Sequence, residues 1–270
     1  LAMDAAADEA ALVKTASRLA VLESMGLSMG ALAGGALAGL GKAYAGNFVA
    51  SLAVTLGMFV ITLLGVPEPP RAKNARRQGR LNKPEYPPDG RPLTLGALMR
   101  ESLHFAAKPG LVRALFLFSM VTGFAMLGVE TYWQPALQAF APPAWFLGIV
   151  SFTGFASVMA GSRLVERLLV RRPQARYGCW LILKAGLGVG LLVLVISQGM
   201  VAFAGSYMLI YVFLGGGGVA ENILLNLEAP ASQRASILSL FSFALQIGGL
   251  LASLTEFLLG AGNTYHTLWL

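Results

Sequence analysis

Charged residues and cysteine are both scarce in this chain of 270 residues. Only 12% of the residues are charged and 56% are hydrophobic, whereas soluble domains carry about a quarter charged residues. A soluble protein of this length could not cover so much apolar surface, so lipid is the simplest solvent for it. The single cysteine, Cys179, excludes an intramolecular disulfide framework. One cysteine does not indicate whether the protein lies in an oxidising or a reducing compartment.

Residue patterns that support catalysis or bind metal are also missing. The two histidines, His104 and His266, are too few and too far apart in sequence to suggest a ligand set. The sequence has no nucleophile with a supporting base, no metal-ligand spacing and no phosphate-binding loop. We therefore expect no catalytic residue, no metal site, no cofactor and no enzymatic activity. The start of the chain is acidic and lacks a basic region, so we expect no cleavable signal peptide. The sequence does not begin with Met, so we expect a fragment.

Long uncharged runs predict membrane-spanning helices. Two of these runs, 131–162 and 185–220, exceed one crossing, so each must contain a turn, which we place at 141–144 and 197–199. The predicted helices are 19–41, 47–66, 113–136, 144–164, 178–198, 201–226 and 236–260, with a partial helix beginning near Thr264. The sequence therefore predicts seven complete crossings.

The basic residues indicate the orientation of these crossings. Of the 20 Lys and Arg residues, 19 fall on one side of the membrane, counting Lys184 in the first turns of its helix, and only Lys42 falls opposite. The positive-inside rule makes the basic side cytoplasmic. The net charge of +7 thus predicts contact with anionic lipid and not with nucleic acid. We expect a multi-pass protein of the inner or plasma membrane.

The longest polar segment, 67–110, is rich in proline, glycine and basic residues in its first half, which is typical of a solvated linker. Its second half has apolar residues at roughly helical spacing, namely Leu95, Leu98, Met99 and Phe105. With Thr94 as the N-cap, this spacing predicts a short amphipathic helix along the inner membrane face.

Glycines recur at every fourth residue near the start of the chain, at Gly26, Gly30 and Gly34, and Gly35 follows. They lie in an uncharged run, 24–41, long enough at ~1.5 Å per residue to cross most of a ~30 Å hydrocarbon layer. Small-residue faces let helix backbones approach each other in lipid. We predict that this helix packs tightly against a neighbouring helix. The glycines either have a specific functional role or serve only this packing.

An internal repeat relates the two ends of the chain. Residues 17–35 align with 233–251, so that Arg18 matches Arg234 at the cytoplasmic start of a crossing with small residues at mid-depth. Both copies enter from the same side and are separated by six predicted crossings, which implies a parallel duplication of six helices. On this count, the chain starts near the end of a fourth helix and stops early in a twelfth.

The chain resembles the major facilitator superfamily, whose twelve helices form two six-helix halves joined by a long cytoplasmic loop. The glycine stretch is similar to the antiporter motif of the family's fifth helix, although Ala31 stands where that motif has proline. The segments Y-W-Q-P at 132–135 and P-A-S-Q-R-A-S-I-L-S at 230–239 also resemble the family. G-S-R-L-V-E-R at 161–167 looks like a degraded copy of the acidic–basic loop between helices two and three, with Glu166 displaced by one position.

This resemblance implies an all-α integral membrane bundle of two pseudo-symmetric halves, of which the N-terminal half is incomplete. Residues 1–66 would contain the end of helix four with helices five and six. Residues 67–112 would form the cytoplasmic loop between the halves, and residues 113–270 would form the C-terminal half up to the start of helix twelve.

Polar groups within lipid need a partner or a purpose, and the candidates for the transport pathway are Glu130, Tyr132, Gln134, Asn222 and Gln246. Glu130 lies near the outer mouth, where Tyr132, Trp133 and Gln134 complete a polar–aromatic rim. This rim is either an outer gate with a protonatable site or an interfacial aromatic belt. Gln246, about 15 Å into its helix, either lines a central cavity or makes an interhelical hydrogen bond.

Other candidates lie toward the cytoplasmic side. Asn222 and Asn226 share a helix face beside Glu221, and the glycines at 215–218 precede them, either as a bending point or as close packing. The resemblance implies that inner-mouth charges form salt bridges that latch one conformation. The latch candidates are Glu23, Arg18, Arg234 and Glu221.

The resemblance implies a secondary active transporter that moves a small solute by alternating access. Proton-coupled efflux by a monomer, with protons as the coupling ion, is the first choice. Uptake by symport, a membrane-embedded enzyme or lipid-handling protein, and a transport-inactive sensor on the same fold are the alternatives. The titratable groups lie near the two mouths and not at one depth, which disfavours the enzyme.

A reporter fused after Arg80 should lie in the cytoplasm, because 67–110 holds many of the basic residues. We expect an alkaline phosphatase fusion there to be inactive and a green fluorescent protein fusion to fluoresce. A fusion after Lys42 is the matched control and should give the opposite pair of results. An active phosphatase after Arg80 would contradict the predicted orientation.

Overall fold

A computed structural model of the chain describes residues 2–37, 45–65, 95–230 and 233–259. Within these ranges the chain is helical and contains no strand. The helices are α1 (Ala2–Leu37), α2 (Ala45–Gly65), α3 (Leu95–Ala106), α4 (Leu111–Gln138), α5 (Ala144–Arg171), α6 (Arg176–Ile196), α7 (Met200–Glu228) and α8 (Arg234–Leu259). A 3₁₀ turn at Pro173–Ala175 joins α5 to α6. The predicted all-α membrane fold class is confirmed.

Six described helices, α2 and α4 to α8, are long and apolar enough to cross a membrane. The seventh predicted crossing, 19–41, falls largely in α1, which is one continuous helix of 36 residues and begins at Ala2 instead of residue 19. Because α1 is not among the six, that crossing stays a prediction. At ~1.5 Å per residue α1 is ~54 Å long, which exceeds the ~30 Å hydrocarbon thickness.

The turns predicted within the two longest uncharged runs are confirmed. α4 ends at Gln138, and α5 begins at Ala144 after two prolines. Only residues 197–199 separate α6 from α7, and Gly199 there has φ +98°. Glycine adopts this left-handed backbone conformation without the steric penalty of a Cβ atom. The sequence breakers therefore mark both helix boundaries to within a few residues.

The short helix predicted in the second half of the polar segment is confirmed as α3, Leu95–Ala106. Phe105 on α3 is buried and Met99 is exposed, so the helix has a buried and an exposed side. The predicted N-cap Thr94, the linker before it, Lys42 and the partial helix from Thr264 lie outside the described residues.

Large apolar side chains are exposed on the outer faces of the helices. α2 has no buried residue, and Phe257, Val201 and Ile196 are 80%, 76% and 73% exposed. In water, each such side chain would forgo about 1.5–3 kcal/mol of burial free energy. In lipid the exposure carries no such penalty, so this surface fits a membrane-embedded protein.

The described residues of 1–32 and 102–270 form one compact unit, and those of 33–101 form another. In the first unit α4 packs against α8, and both α5 and α6 pack against α7. We call α4 to α8 the C-terminal bundle. An inner cluster, toward the predicted cytoplasmic ends, includes Leu115, Leu169, Trp180 and Ile223. An outer cluster at the opposite ends includes Leu137, Val150, Leu194 and Ile210.

Glycines bring α4 and α8 into backbone contact. A Cβ atom added to Gly123 would overlap the carbonyl group of Leu245, and one added to Gly248 would overlap the carbonyl group of Met120. Lipid provides no hydrophobic drive between helices, so dispersion contacts at such close approaches hold them together.

A second glycine contact joins α5 to α7. A Cβ atom at Gly161 would overlap the backbone of Val212, and one at Gly215 would overlap the backbone of Val158. α7 continues as a helix through 215–218, and the added Cβ of Gly218 would meet open space. Of the two interpretations of this glycine run, the described contacts support close packing for Gly215.

The packing predicted for the first glycine stretch is not seen among the described residues. Cβ atoms added to Gly26 or Gly30 would have no described atom within 4 Å, and Gly34 is approached only by the Asn47 amide, at 3.9 Å. Large side chains beside them, such as Leu27 and Met29, are exposed as well. Nδ2 of Asn47 on α2 donates a hydrogen bond to the backbone carbonyl of Gly34, at 3.2 Å, and the packing role of Gly26 and Gly30 stays a prediction. Gly35 belongs to α1, and its surroundings lie outside the described side chains.

Gly248→Ala should destabilise the C-terminal bundle by about 1–3 kcal/mol, since the added methyl group must push α8 away from the backbone of α4. Gly188→Ala on α6 is the matched control, because its Cβ would meet nothing within 4 Å. SDS-titration unfolding of the two variants in detergent measures the difference. Equal stability of both variants would contradict the glycine contact.

Candidate functional site

A lysine and a glutamate form an ion pair buried inside the C-terminal bundle. Nζ of Lys184 on α6 lies 2.8 Å from Oε1 of Glu221 on α7, and the two side chains are 6% and 9% exposed. Lys184 also donates a hydrogen bond to Oγ1 of Thr122 on α4, at 2.9 Å. The indole Nε1 of Trp180 donates to Oε1 of Glu221, at 3.3 Å. This Lys184–Glu221 network connects α4, α6 and α7.

The positions of these residues in their helices explain why the network forms. Trp180 and Lys184 are four residues apart on α6 and so share a face that is turned toward Glu221. Gly217 lies one turn before Glu221, and a Cβ there would be in ordinary van der Waals contact with Cε of Lys184, at 3.9 Å. Lys184 lies about 12 Å along α6 from its start. Insertion of an isolated Lys or Asp at this kind of depth costs about 2.5–3.5 kcal/mol, which explains why the charges are paired.

Lys184 counts among the basic residues of the predicted cytoplasmic side, and that assignment stays a prediction. The structure adds that Lys184 is a buried partner of Glu221. The available signal was that Lys184 interrupts an otherwise uncharged helix and therefore needs a counter-charge, and Glu221 is the acid that ends the run 185–220. Glu221 was predicted as part of a latch, and that role stays a prediction.

Three aromatic rings form a second group, which we call the outer aromatic cluster: Trp133 on α4 with Tyr207 and Tyr211 on α7. The ring centroids of Trp133 and Tyr207 lie 5.0 Å apart, and those of Tyr207 and Tyr211 lie 4.6 Å apart. All three side chains are buried. On the α5 side, Gly154 makes room for Tyr207, because a Cβ there would lie 2.8 Å from the ring.

The predicted rim residues differ in their exposure. Glu130 is exposed, and its carboxylate is close enough to interact electrostatically with the hydroxyls of Tyr207 and Tyr211. Tyr132 is half-buried and Gln134 is exposed. Trp133 was predicted only as part of the rim, and Tyr207 and Tyr211 were not predicted, because they lie in an apolar run with no charged residue beside them.

Asn222 and Asn226 share a helix face, as predicted, and their side chains are hydrogen-bonded; the pathway role of Asn222 stays a prediction. Nδ2 of Asn226 donates to the backbone carbonyl of Asn222 at 2.8 Å and to its Oδ1 at 2.9 Å. Asn222 is exposed and Asn226 is buried. Gln246 is exposed on α8, on the side opposite Ala244 and the Gly248 contact. It takes part in none of the described hydrogen bonds, so its role in lining a cavity stays a prediction.

A third group of polar side chains joins α1 to α5 near the predicted inner mouth. Oγ of Ser17 donates to Oε2 of Glu166 at 2.7 Å, and Nη1 of Arg163 lies 2.8 Å from the same oxygen. Arg18 also interacts electrostatically with Glu166. The structure thus brings the predicted latch residue Arg18 together with Glu166, which we had noted only within the degraded motif.

The remaining latch candidates are not part of this group. Glu23 on α1 and Arg234 at the start of α8 are exposed, and neither forms an ion pair within the described residues. Their contribution to a latch stays a prediction.

The family model described as Major Facilitator Superfamily matches residues 6–253 of the chain. This range covers most of α1 to α8 and all three groups of residues described above. No curated protein and no solved structure matches the chain.

Lys184→Met and Glu221→Gln should each destabilise the protein by about 3–5 kcal/mol, because each leaves one buried charge without its partner. The double variant K184M/E221Q should lose less than either single variant, since no charge remains buried and the Gln carbonyl can still accept from Trp180. SDS-titration unfolding in detergent tests this. Additive losses in the double variant would show that the two charges do not stabilise one another.

Proposed function

The chain belongs to the major facilitator superfamily, whose model matches residues 6–253, and on this premise we propose that it is a proton-coupled efflux transporter working by alternating access. Members of this family are secondary transporters that move small molecules across a lipid bilayer. The multi-pass membrane character agrees with the six apolar helices long enough to span it. Proton coupling and outward direction are the parts that we add.

The buried Lys184–Glu221 network is the observation that supports proton coupling. Glu221 is a titratable carboxyl group inside a membrane-spanning bundle, with a charged partner at 2.8 Å. Intramembrane ionisable residues are expensive to keep and are a common feature of proton pathways. A carboxyl group that contacts a neighbouring helix in this way can convert the binding of a proton into a change of packing.

The energetics of the pair link protonation to conformation. When Glu221 takes up a proton, Lys184 loses its counter-ion, and an unpaired buried charge costs several kcal/mol, about 3–5 in soluble proteins. The cost falls if α6 and α7 shift so that Lys184 reaches water or another acceptor. A proton then binds one conformation more tightly than the other, which is the condition for shifting the equilibrium between them.

The contact between α1 and α5 supports a gate at the inner mouth. In the proposed division of the chain, α1 belongs to the N-terminal half and α5 to the C-terminal half. Ser17 and Arg18 meet Glu166 across that division. We propose that this contact holds the inner mouth closed and must separate when the mouth opens. Glu23, Arg234 and Glu221 remain further candidates for the same latch.

The substrate pathway in this proposal runs past the exposed polar groups Glu130, Gln134, Asn222 and Gln246 and the half-buried Tyr132. The antiporter-like glycine stretch supports efflux in exchange for protons. Ala31 replaces the proline of that motif, so helix kinking at this point is not part of the proposal. Uptake by symport would use the same coupling pair and differs in the direction of solute flow.

Proton coupling can be tested in everted membrane vesicles from cells that express the protein. Vesicles acidified inside should lose their pH gradient when an efflux substrate is added from a panel of cationic, neutral and anionic amphipathic compounds. K184M/E221Q should fold but fail to dissipate the gradient, because it has no coupled charge pair. Glu228→Gln, at the exposed end of α7, is the matched control and should behave as the wild type.

Two results would contradict this proposal. If K184M/E221Q dissipates the gradient as the wild type does, the Lys184–Glu221 network does not couple protons. If wild-type vesicles respond to no compound in the panel, proton-coupled efflux is wrong.

A further inference from the structure

The outer aromatic cluster presents π-electron surface inside the membrane. Trp133 and Tyr207 are in ring contact across the α4–α7 boundary, and Tyr207 and Tyr211 continue the stack along α7. Ring faces carry negative electrostatic potential and attract cations, most strongly when water is excluded. The three rings are 7%, 4% and 5% exposed. A cation that reached them would be held in a dry site.

A carboxylate stands beside these rings. Glu130 precedes Trp133 by three residues on α4, so the two lie on neighbouring positions of the helix surface. Its carboxylate interacts electrostatically with the hydroxyls of both tyrosines. Within the described residues it forms no ion pair with Lys, Arg or His. The negative charge at the rim is therefore available to an incoming ligand.

The distribution of charge favours a positive ligand over a negative one. No Lys or Arg occurs in 114–162, in 185–233 or after Arg234. The outer ends of α4 to α8 consequently carry the acids Glu130 and Glu256 with no described Lys or Arg. In surroundings of low dielectric constant, this asymmetry attracts cations and repels anions.

We propose that Glu130 and the outer aromatic cluster form the binding site for a hydrophobic organic cation. The carboxylate would neutralise the positive charge, and the faces of Trp133 and Tyr207 would contact the apolar substituents. The inference rests on the proposed efflux function and names the class of compound that it exports. It adds Trp133, Tyr207 and Tyr211 to the pathway residues.

The position of Tyr207 indicates where the ligand enters. On the α5 side the ring is packed against Gly154, with no room for a methyl group between them. The contact with Trp133 lies between α4 and α7. α4 packs mainly against α8, and α7 packs mainly against α5 and α6. Separation of Trp133 from Tyr207 opens the site beside Glu130.

Equilibrium binding of radiolabelled tetraphenylphosphonium to the purified full chain in detergent tests the site without any ion gradient. Tetraphenylborate, which has the same shape and the opposite charge, is the matched ligand control, and empty micelles give the background. We expect the cation to bind and the anion not to bind. Glu130→Gln should raise the Kd for the cation about tenfold, while Glu256→Gln, an acid near the outer end of α8, should change it less than about twofold.

A second variant separates binding from folding. Trp133→Leu should weaken cation binding, whereas Trp133→Phe, which keeps a ring, should retain most of it, and melting temperatures verify that both variants fold. Equal binding of cation and anion, no cation binding by the wild type, or a Kd unaffected by Glu130→Gln would each overturn the site. Because no proton gradient is present, failure of proton coupling in vesicles leaves this result unchanged.

Discussion

Close contact between helix backbones holds the C-terminal bundle together, since lipid gives helices no hydrophobic reason to associate. Gly123 and Gly248 allow α4 to touch α8, and Gly161 and Gly215 allow α5 to touch α7. These contacts determine which longer side chains can meet. Lys184 on α6 pairs with Glu221 on α7, and Tyr207 fits against Gly154. The absence of a side chain at Gly154 thus creates the space that the ring of Tyr207 occupies.

The buried Lys184–Glu221 ion pair makes the stability of the same bundle depend on charge as well as on packing. Dispersion contacts favour tight and static packing, whereas a charge pair in lipid stays stable only while both partners remain charged and close together. Neutralising one partner turns a satisfied contact into an unsatisfied one. In the proposed transport cycle, the glycine contacts would supply a rigid scaffold and the Lys184–Glu221 pair would make that scaffold sensitive to protons. Transport by alternating access requires both properties.

Composition and uncharged runs were enough to predict the membrane fold, the two helix breaks and α3, because these depend on local chemistry and on the thickness of the bilayer. The contacts of individual residues were harder to predict. The spacing of Gly26, Gly30 and Gly34 indicates a small-residue face but not whether another helix covers it. The partner of Lys184 lies on another helix, so the order of charges along the chain does not identify it. The contacts of Tyr207 were not predicted, because an aromatic residue within an apolar run does not indicate which ring it meets. Which residues contact each other depends on the tertiary structure, and the spacing of residues along the sequence does not show it.

The hairpin of α6 and α7 is fastened at both ends. Three residues link the helices at one end, where the hydroxyls of Ser197 and Ser206 lie 2.9 Å apart. Toward the other end, Trp180 and Lys184 hold Glu221. Two helices joined in this way resist sliding past each other, so we expect them to move as one unit. A displacement of α6 near Lys184 would then be carried along α7 to Tyr207 and Tyr211, at the other end of the bundle.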